Sequence, residues 1–89
     1  MRFTWDPNKE RHNKRIHGVG FQGATTVFGD PLAVTVSDPD HSVGEERLVT
    51  IGQSSSGSLL VVYHTEQAGT IRIISTRRAT AHERKDYET

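Results

Sequence analysis

The stretch Ile71-Arg72-Ile73-Ile74-Ser75-Thr76-Arg77-Arg78-Ala79-Thr80-Ala81-His82-Glu83-Arg84-Lys85-Asp86-Tyr87-Glu88 runs from an apolar strand, through a paired arginine, into a capped helix. Ile71 to Ile74 is apolar on nearly every position, the pattern of a central strand covered on both faces. Thr80 and Glu83 have the spacing of a capping box, in which each side chain satisfies a backbone N–H of the other's residue. The helix that follows, to about Glu88, is too short to be stable in water by itself and must dock or fray. Arg77 and Arg78 at the end of a rigid strand read as a fixed cationic fork, since planar guanidiniums bind two oxygens at once. The helix start beside them adds backbone N–H groups and a positive dipole end. Such a site suits an anion, and in a chain this small a phosphodiester. Pairing with surface carboxylates is the alternative, and the residues leave both open.

Working back from that stretch, Gln67-Ala68-Gly69 is a turn, and Leu59–Glu66, apolar on both parities at its start, is a second central strand. The run Ser54-Ser55-Ser56-Gly57-Ser58 joins it to a strand over Arg47–Gln53 as a hairpin. Leu32–Val36 alternates as a half-buried strand does, and an acidic loop over Ser37–Glu45 follows it. Near the start, Arg2–Trp5 is short and β-prone. Asp6 as N-cap and Pro7 at the first helical position open a helix that ends at His17, where Gly18 supplies the left-handed stop. Lys9, Asn13 and His17 share one face of that polar helix. Phe21, Ala24, Thr25 and Phe28 form an apolar stripe, predicting a second, buried helix that Gly29-Asp30-Pro31 ends. The order is β-αα-ββββ-α: one α+β domain over 1–89, an antiparallel β-sheet with two N-terminal helices and a C-terminal helix.

The chain has 89 residues, 33% hydrophobic and 25% charged, with no Cys, which excludes disulfides, thiolate nucleophiles and Cys-ligated zinc. No apolar run approaches the roughly 20 residues that span a bilayer. The first residues lack an apolar signal core, so the expected location is cytoplasmic. Net charge is zero, yet residues 29–70 carry six acids against one Arg while both flanks are basic. One cationic and one anionic face are expected, and small RNA suits such a protein better than long duplex DNA.

Cutting a phosphodiester without metal needs a base for the ribose 2′-hydroxyl, a cation for the developing phosphorane charge and an acid for the leaving oxygen. Arg77 and Arg78 are the cation candidates, with Arg72 and Arg47 in reserve. An imidazole ordinarily titrates near neutral pH, which makes His64 the candidate acid or base, with Glu66 to orient it. A histidine near a strand end also serves as a structural donor. Tyr87 can stack on a base, donate a proton or anchor its helix. Asp38, Asp40, His41 and Glu45 match no metal-ligand spacing and read as a solvated loop; no cofactor is expected. Neither a serine elbow nor a phosphate-cradling glycine loop is present.

Several motifs in order carry a resemblance. Phe3-x-Trp5-Asp6-Pro7-x-Lys9, Asn13-x-x-x-His17-Gly18-Val19-x-Phe21, Val27-Phe28-x-Asp30-Pro31, Gly44-Glu45-Glu46-Arg47-x-x-x-Ile51-Gly52 and the tail from Ile71 to Glu88 resemble the BrnT family of type II toxins. The resemblance implies a RelE-like fold and a metal-independent endoribonuclease that stops growth by cutting RNA in translation. It implies a BrnA-type antitoxin with a ribbon-helix-helix DNA-binding region, which masks the toxin and represses the shared operon. DNA is then reached only through the antitoxin, and homodimers or a toxin–antitoxin heterotetramer are expected. By position, catalysis falls to Arg77, Arg78, Arg47 and His64, and RNA binding to Lys9, Asn13, His17, Arg72, Arg84 and Tyr87. Ile16 and Gln22-Gly23 depart from the family pattern, thinning the cationic face of the first helix and weakening the second. A non-catalytic subunit of a repressor complex is the rival reading.

Overall fold

The computed structural model describes residues 1–38, 40 and 44–89; His41 of the acidic loop lies outside them. The elements are β1 (Arg2–Thr4), α1 (Pro7–His17), α2 (Phe21–Thr25), a 3-10 turn (Thr26–Gly29), β2 (Val34–Ser37), β3 (Leu48–Gln53), β4 (Leu59–Gln67), β5 (Thr70–Arg78) and α3 (Ala81–Glu88). They form a five-stranded sheet in the order β1-β5-β4-β3-β2. Strands β2 to β5 are the expected antiparallel meander, while β1 joins its far edge parallel to β5.

The helix ends follow from their caps. Asp6 accepts from the Asn8 N–H at 2.8 Å, and Gly18 at φ 70° turns the chain out of α1. Thr80 and Glu83 complete the capping box of α3. The second helix differs from the reading of the sequence, because it breaks after Thr25 into the 3-10 turn. With three residues per turn there, Phe21, Ala24 and Val27 align and are all fully buried, and Phe28 is left half-buried. The first N–H of α2 has no side-chain cap at Gly20; Glu10 of α1 reaches across and accepts from Phe21 N at 3.0 Å.

Strand β2 starts two residues later than expected because Asp30 holds an Asx-type turn, accepting from Leu32 N at 2.9 Å while its carbonyl accepts from Ala33 N at 3.1 Å. The core lies on the sheet face under α2, where Leu60, Val62, Ile71 and Ile73 meet Val19, Phe21, Ala24 and Val27, with Phe3, Trp5 and Phe28 at its rim. Gly52 lets β3 approach this layer closely: a Cβ there would sit 2.8 Å from Val27 Cγ1 and 2.9 Å from Ala33 Cβ. Among the described residues no helix is long and apolar enough to cross a membrane.

Candidate nucleic-acid site on the open sheet face

Strand β5 continues to Arg78, and Ala79 N donates to Leu59 O beyond it. Successive strand side chains point to opposite faces, so Arg77 and Arg78 cannot form a fork. Arg77 lies on the face crossed by α3. Arg78 lies on the other, where its Nη1 reaches His17 O at 3.5 Å beside Gly18. There the guanidinium complements the carbonyl end of α1, a stabilising place for a cation. The expected paired fork is therefore corrected.

The α3 side of the sheet collects a different set. Arg47 Cζ lies 5.3 Å from the centroid of the Tyr63 ring and Arg77 Cζ 6.0 Å from it, so one phenol sits within cation–π reach of two guanidiniums. Arg77 Nη2 donates to the Tyr63 hydroxyl at 3.3 Å. The same guanidinium grips Glu83 in a bidentate pair at 2.8 and 2.9 Å. Glu83 thus caps α3 and ties it to β5, and the Arg77 hydrogen bond holds its carboxyl down at about 2.

Arg72 reaches the same face through a bulge. Arg72 and Arg77 are five positions apart, which plain alternation would put on opposite faces. The register pairs Tyr63 with Ser75 but His64 with Ile73, leaving Ile74 as the extra residue. Thr65 then pairs with Arg72, and Val61 with Arg77, so both arginines share the Tyr63 side.

His64 is not on this face. It is 1% exposed, its Nε2 bonds Thr50 Oγ1 at 2.7 Å, and its ring meets Phe28 edge-on at 4.9 Å. The expected acid or base is a core side chain out of reach of any substrate. Burial lowers its pKa below 6.5, against a smaller opposing pull from Glu66. The folded protein therefore binds fewer protons than the unfolded chain as pH falls through 6.5, and stability is complete above that value and declines below it. A melting temperature that falls between pH 7 and pH 5, with a shallower fall in His64→Leu, is the expected outcome in thermal denaturation.

Asn13 is likewise structural. It is 6% exposed, and its amide closes the edge of β5 beyond the end of β1. Nδ2 donates to Thr76 O at 2.8 Å and Val19 O at 3.1 Å, while Oδ1 accepts from Thr76 N at 3.2 Å and Ser75 Oγ at 3.0 Å. Lys9 and His17 are exposed along a cleft of about 490 Å³ shared with His12, Ile16, Ile74 and Ser75; neither side chain is among the contacts of Tyr63 or Arg77. Arg84 lies on exposed α3 with Glu88 at 4.0 Å. The Tyr87 hydroxyl donates to Asp30 Oδ2 and anchors the end of α3, lowering the Asp30 pKa and raising its own. Arg47 also lies 3.9 Å from Asp38 of the acidic loop. Among the described residues no group of three His, Cys, Asp or Glu is placed to hold a metal ion.

Reading the sequence missed Tyr63. The run Leu59 to Val62 is apolar on both parities and gave no signal for it; the register places Tyr63 opposite Ser75, on the side of Val61 and Arg77.

A family model described as the ribonuclease toxin BrnT of type II toxin-antitoxin systems matches residues 5–83. Among solved structures, the crystal structure of the Brucella abortus ribonuclease toxin BrnT superposes with a TM-score of 0.70 at 22% identity, covering 90% of this chain and 97% of that one. No curated protein matches by sequence. The sheet order and the three helices thus have a solved counterpart, and the matched span includes Arg47, Tyr63, Arg77 and Glu83; the chain belongs to the BrnT family of ribonuclease toxins of type II toxin-antitoxin systems.

Proposed function

We propose that this chain is a metal-independent endoribonuclease that binds RNA on the Arg47–Tyr63–Arg77 face, stops growth by cutting RNA used in translation, and is neutralised in the cytoplasm by a BrnA-type antitoxin. The observation that carries the reading is the pair of guanidiniums about one aromatic ring on an open sheet face. An unpaired base stacks on such a ring, and the arginines meet the phosphates on either side of it. In the reaction the ribose 2′-hydroxyl gives its proton to water as its oxygen bonds to phosphorus, and the bond to the 5′-oxygen breaks with a proton from water, leaving a 2′,3′-cyclic phosphate and a 5′-hydroxyl. Arg77 and Arg47 stabilise the extra negative charge of the phosphorane, and Arg72 holds a neighbouring phosphate. The Tyr63 hydroxyl, held at 3.3 Å by Arg77, is the hydroxyl placed beside that charge. A bound phosphate competes with Glu83 for the Arg77 fork.

Burial of His64 removes an imidazole from the chemistry, and this favours the rival reading of a non-catalytic subunit that reaches DNA through its antitoxin. A cleavage assay separates the two. Purified protein with single-stranded RNA in excess EDTA should yield fragments with cyclic phosphate ends. Intact RNA at micromolar protein, or cleavage abolished by the chelator, would refute the proposal.

A further inference from the structure

Strand β2 is the outer strand of the sheet, and nothing in its sequence protects it. Val34 is 52% exposed and Val36 56%, with Leu32 just before them at 70%. Natural edge strands are commonly blunted by Lys, Pro or a bulge, and the run Val34-Thr35-Val36-Ser37 has none of these. Asp38 N donates to Arg47 O on β3, and N–H directions alternate along a strand, so the backbone groups of Thr35 and Ser37 point off the sheet. The valines continue onto an apolar floor. Val49, Ile51 and Val61 line a groove of about 270 Å³ with them, walled by Glu83, Asp86 and Tyr87 of α3. Helix α3 has no fully buried residue and is tethered by Glu83–Arg77 and Tyr87–Asp30; Val61 beneath it is buried, while Val34 and Val36 on the outer strand stay open to solvent.

The charge around the edge decides what covers it. Asp30 precedes β2, Asp38 and Asp40 follow it, and Glu46 accepts from Ser37 Oγ at 3.1 Å. A second copy paired antiparallel along β2 would set Asp30 of each chain beside the acids of the other. Like charges oppose that arrangement, whereas a basic segment is drawn to it.

We propose that β2 is the docking edge for the antitoxin, whose extended segment adds a strand there. That segment carries apolar side chains at alternate positions, continuing the valine floor, and basic residues at its ends. The inference rests on the toxin–antitoxin reading above and adds the surface and the partner's chemistry.

The test is titration calorimetry between the full-length chain and the antitoxin encoded beside it, comparing the parent with Val36→Lys and Thr35→Pro. Val36→Lys puts a cation against the basic segment and interrupts the floor, and should raise Kd at least 100-fold. Thr35→Pro removes an outward N–H while sparing the ladder to β3, and should raise it at least tenfold. Circular dichroism of both variants should match the parent. Parent-like Kd in both variants overturns the docking edge while leaving the toxin–antitoxin reading intact. A parent chain that does not bind the antitoxin at all overturns both. A dimer of the chain alone that Val36→Lys converts to monomer would give the edge to a second copy, and would also overturn the proposal.

Discussion

Arg77→Ala should lower RNA cleavage about 100- to 1,000-fold, and Arg78→Ala by less than about threefold, although the two residues are neighbours in sequence. The first figure is the range for losing one preorganised charge-stabilising group at a transition state, about 2.7–4 kcal/mol. The second follows from the alternation of β5, which sends Arg78 to the far face and onto the carbonyl end of α1. Losing that cap should cost about 0.3–1 kcal/mol of stability. Arg77 also holds α3 through Glu83, so its removal could act by loosening the helix. Glu83→Gln separates the two routes: it breaks the ion pair while leaving the guanidinium in place. Cleavage within about tenfold of the parent in Glu83→Gln assigns the loss in Arg77→Ala to the missing cation. Equal losses in Arg77→Ala and Arg78→Ala would restore the fork that the sequence suggested and contradict the face assignment.

Asn13→Ala is expected to have the largest effect on stability. The side chain makes four hydrogen bonds to buried or half-buried groups, and Thr76, which it both donates to and accepts from, is fully buried. Truncation strands the Thr76 N–H and C=O and the Val19 carbonyl together. A stranded buried group costs about 1–3 kcal/mol, and water entering at the sheet edge offsets part of the sum, so about 3 kcal/mol is expected in all. For a domain of this size that lowers Tm by about 12–24 °C, measured by calorimetry. Asn13→Asp should do little better, since it keeps the acceptor but turns a carboxylate toward two carbonyls. A Tm change below about 3 °C accompanied by weakened RNA binding would return Asn13 to the substrate-facing role its helical spacing suggested.

Those two residues show what could be read from the sequence and what could not. The element order was legible because its signals are local: Asp6-Pro7 and Gly18 bound one helix, Thr80 and Glu83 start another, and Ser54–Ser58 turns a hairpin. The faces were not. A strand that stops short of Arg77 leaves Arg77 and Arg78 a fork at its end; pairing that runs on through Arg78 sends them to opposite sides. Arg72 joins the Arg77 side through a bulge at Ile74, and no residue type marks a bulge in an apolar run. Asn13 looked available because its helix is polar, but that helix meets the edge of β5 through its one buried side chain, an amide. His64 lies in a strand whose even positions face the core, but Leu59 and Val61 are as apolar as Leu60 and Val62, so no pattern in the sequence marked that parity. Family likeness located the right segments of chain and could not orient them.

The central claim is that RNA lies on the Arg47–Tyr63–Arg77 face. It is tested most directly by an NMR titration of the isotope-labelled protein with a single-stranded RNA whose 2′-hydroxyls are methylated, which can bind but cannot be cut. The account predicts that the largest shifts fall on the Tyr63 ring and on the side-chain N–H signals of Arg47, Arg72 and Arg77, with Lys9, His17 and Arg78 unmoved. Shifts confined to Lys9, His17 and Arg78, with the Tyr63 ring silent, would contradict it.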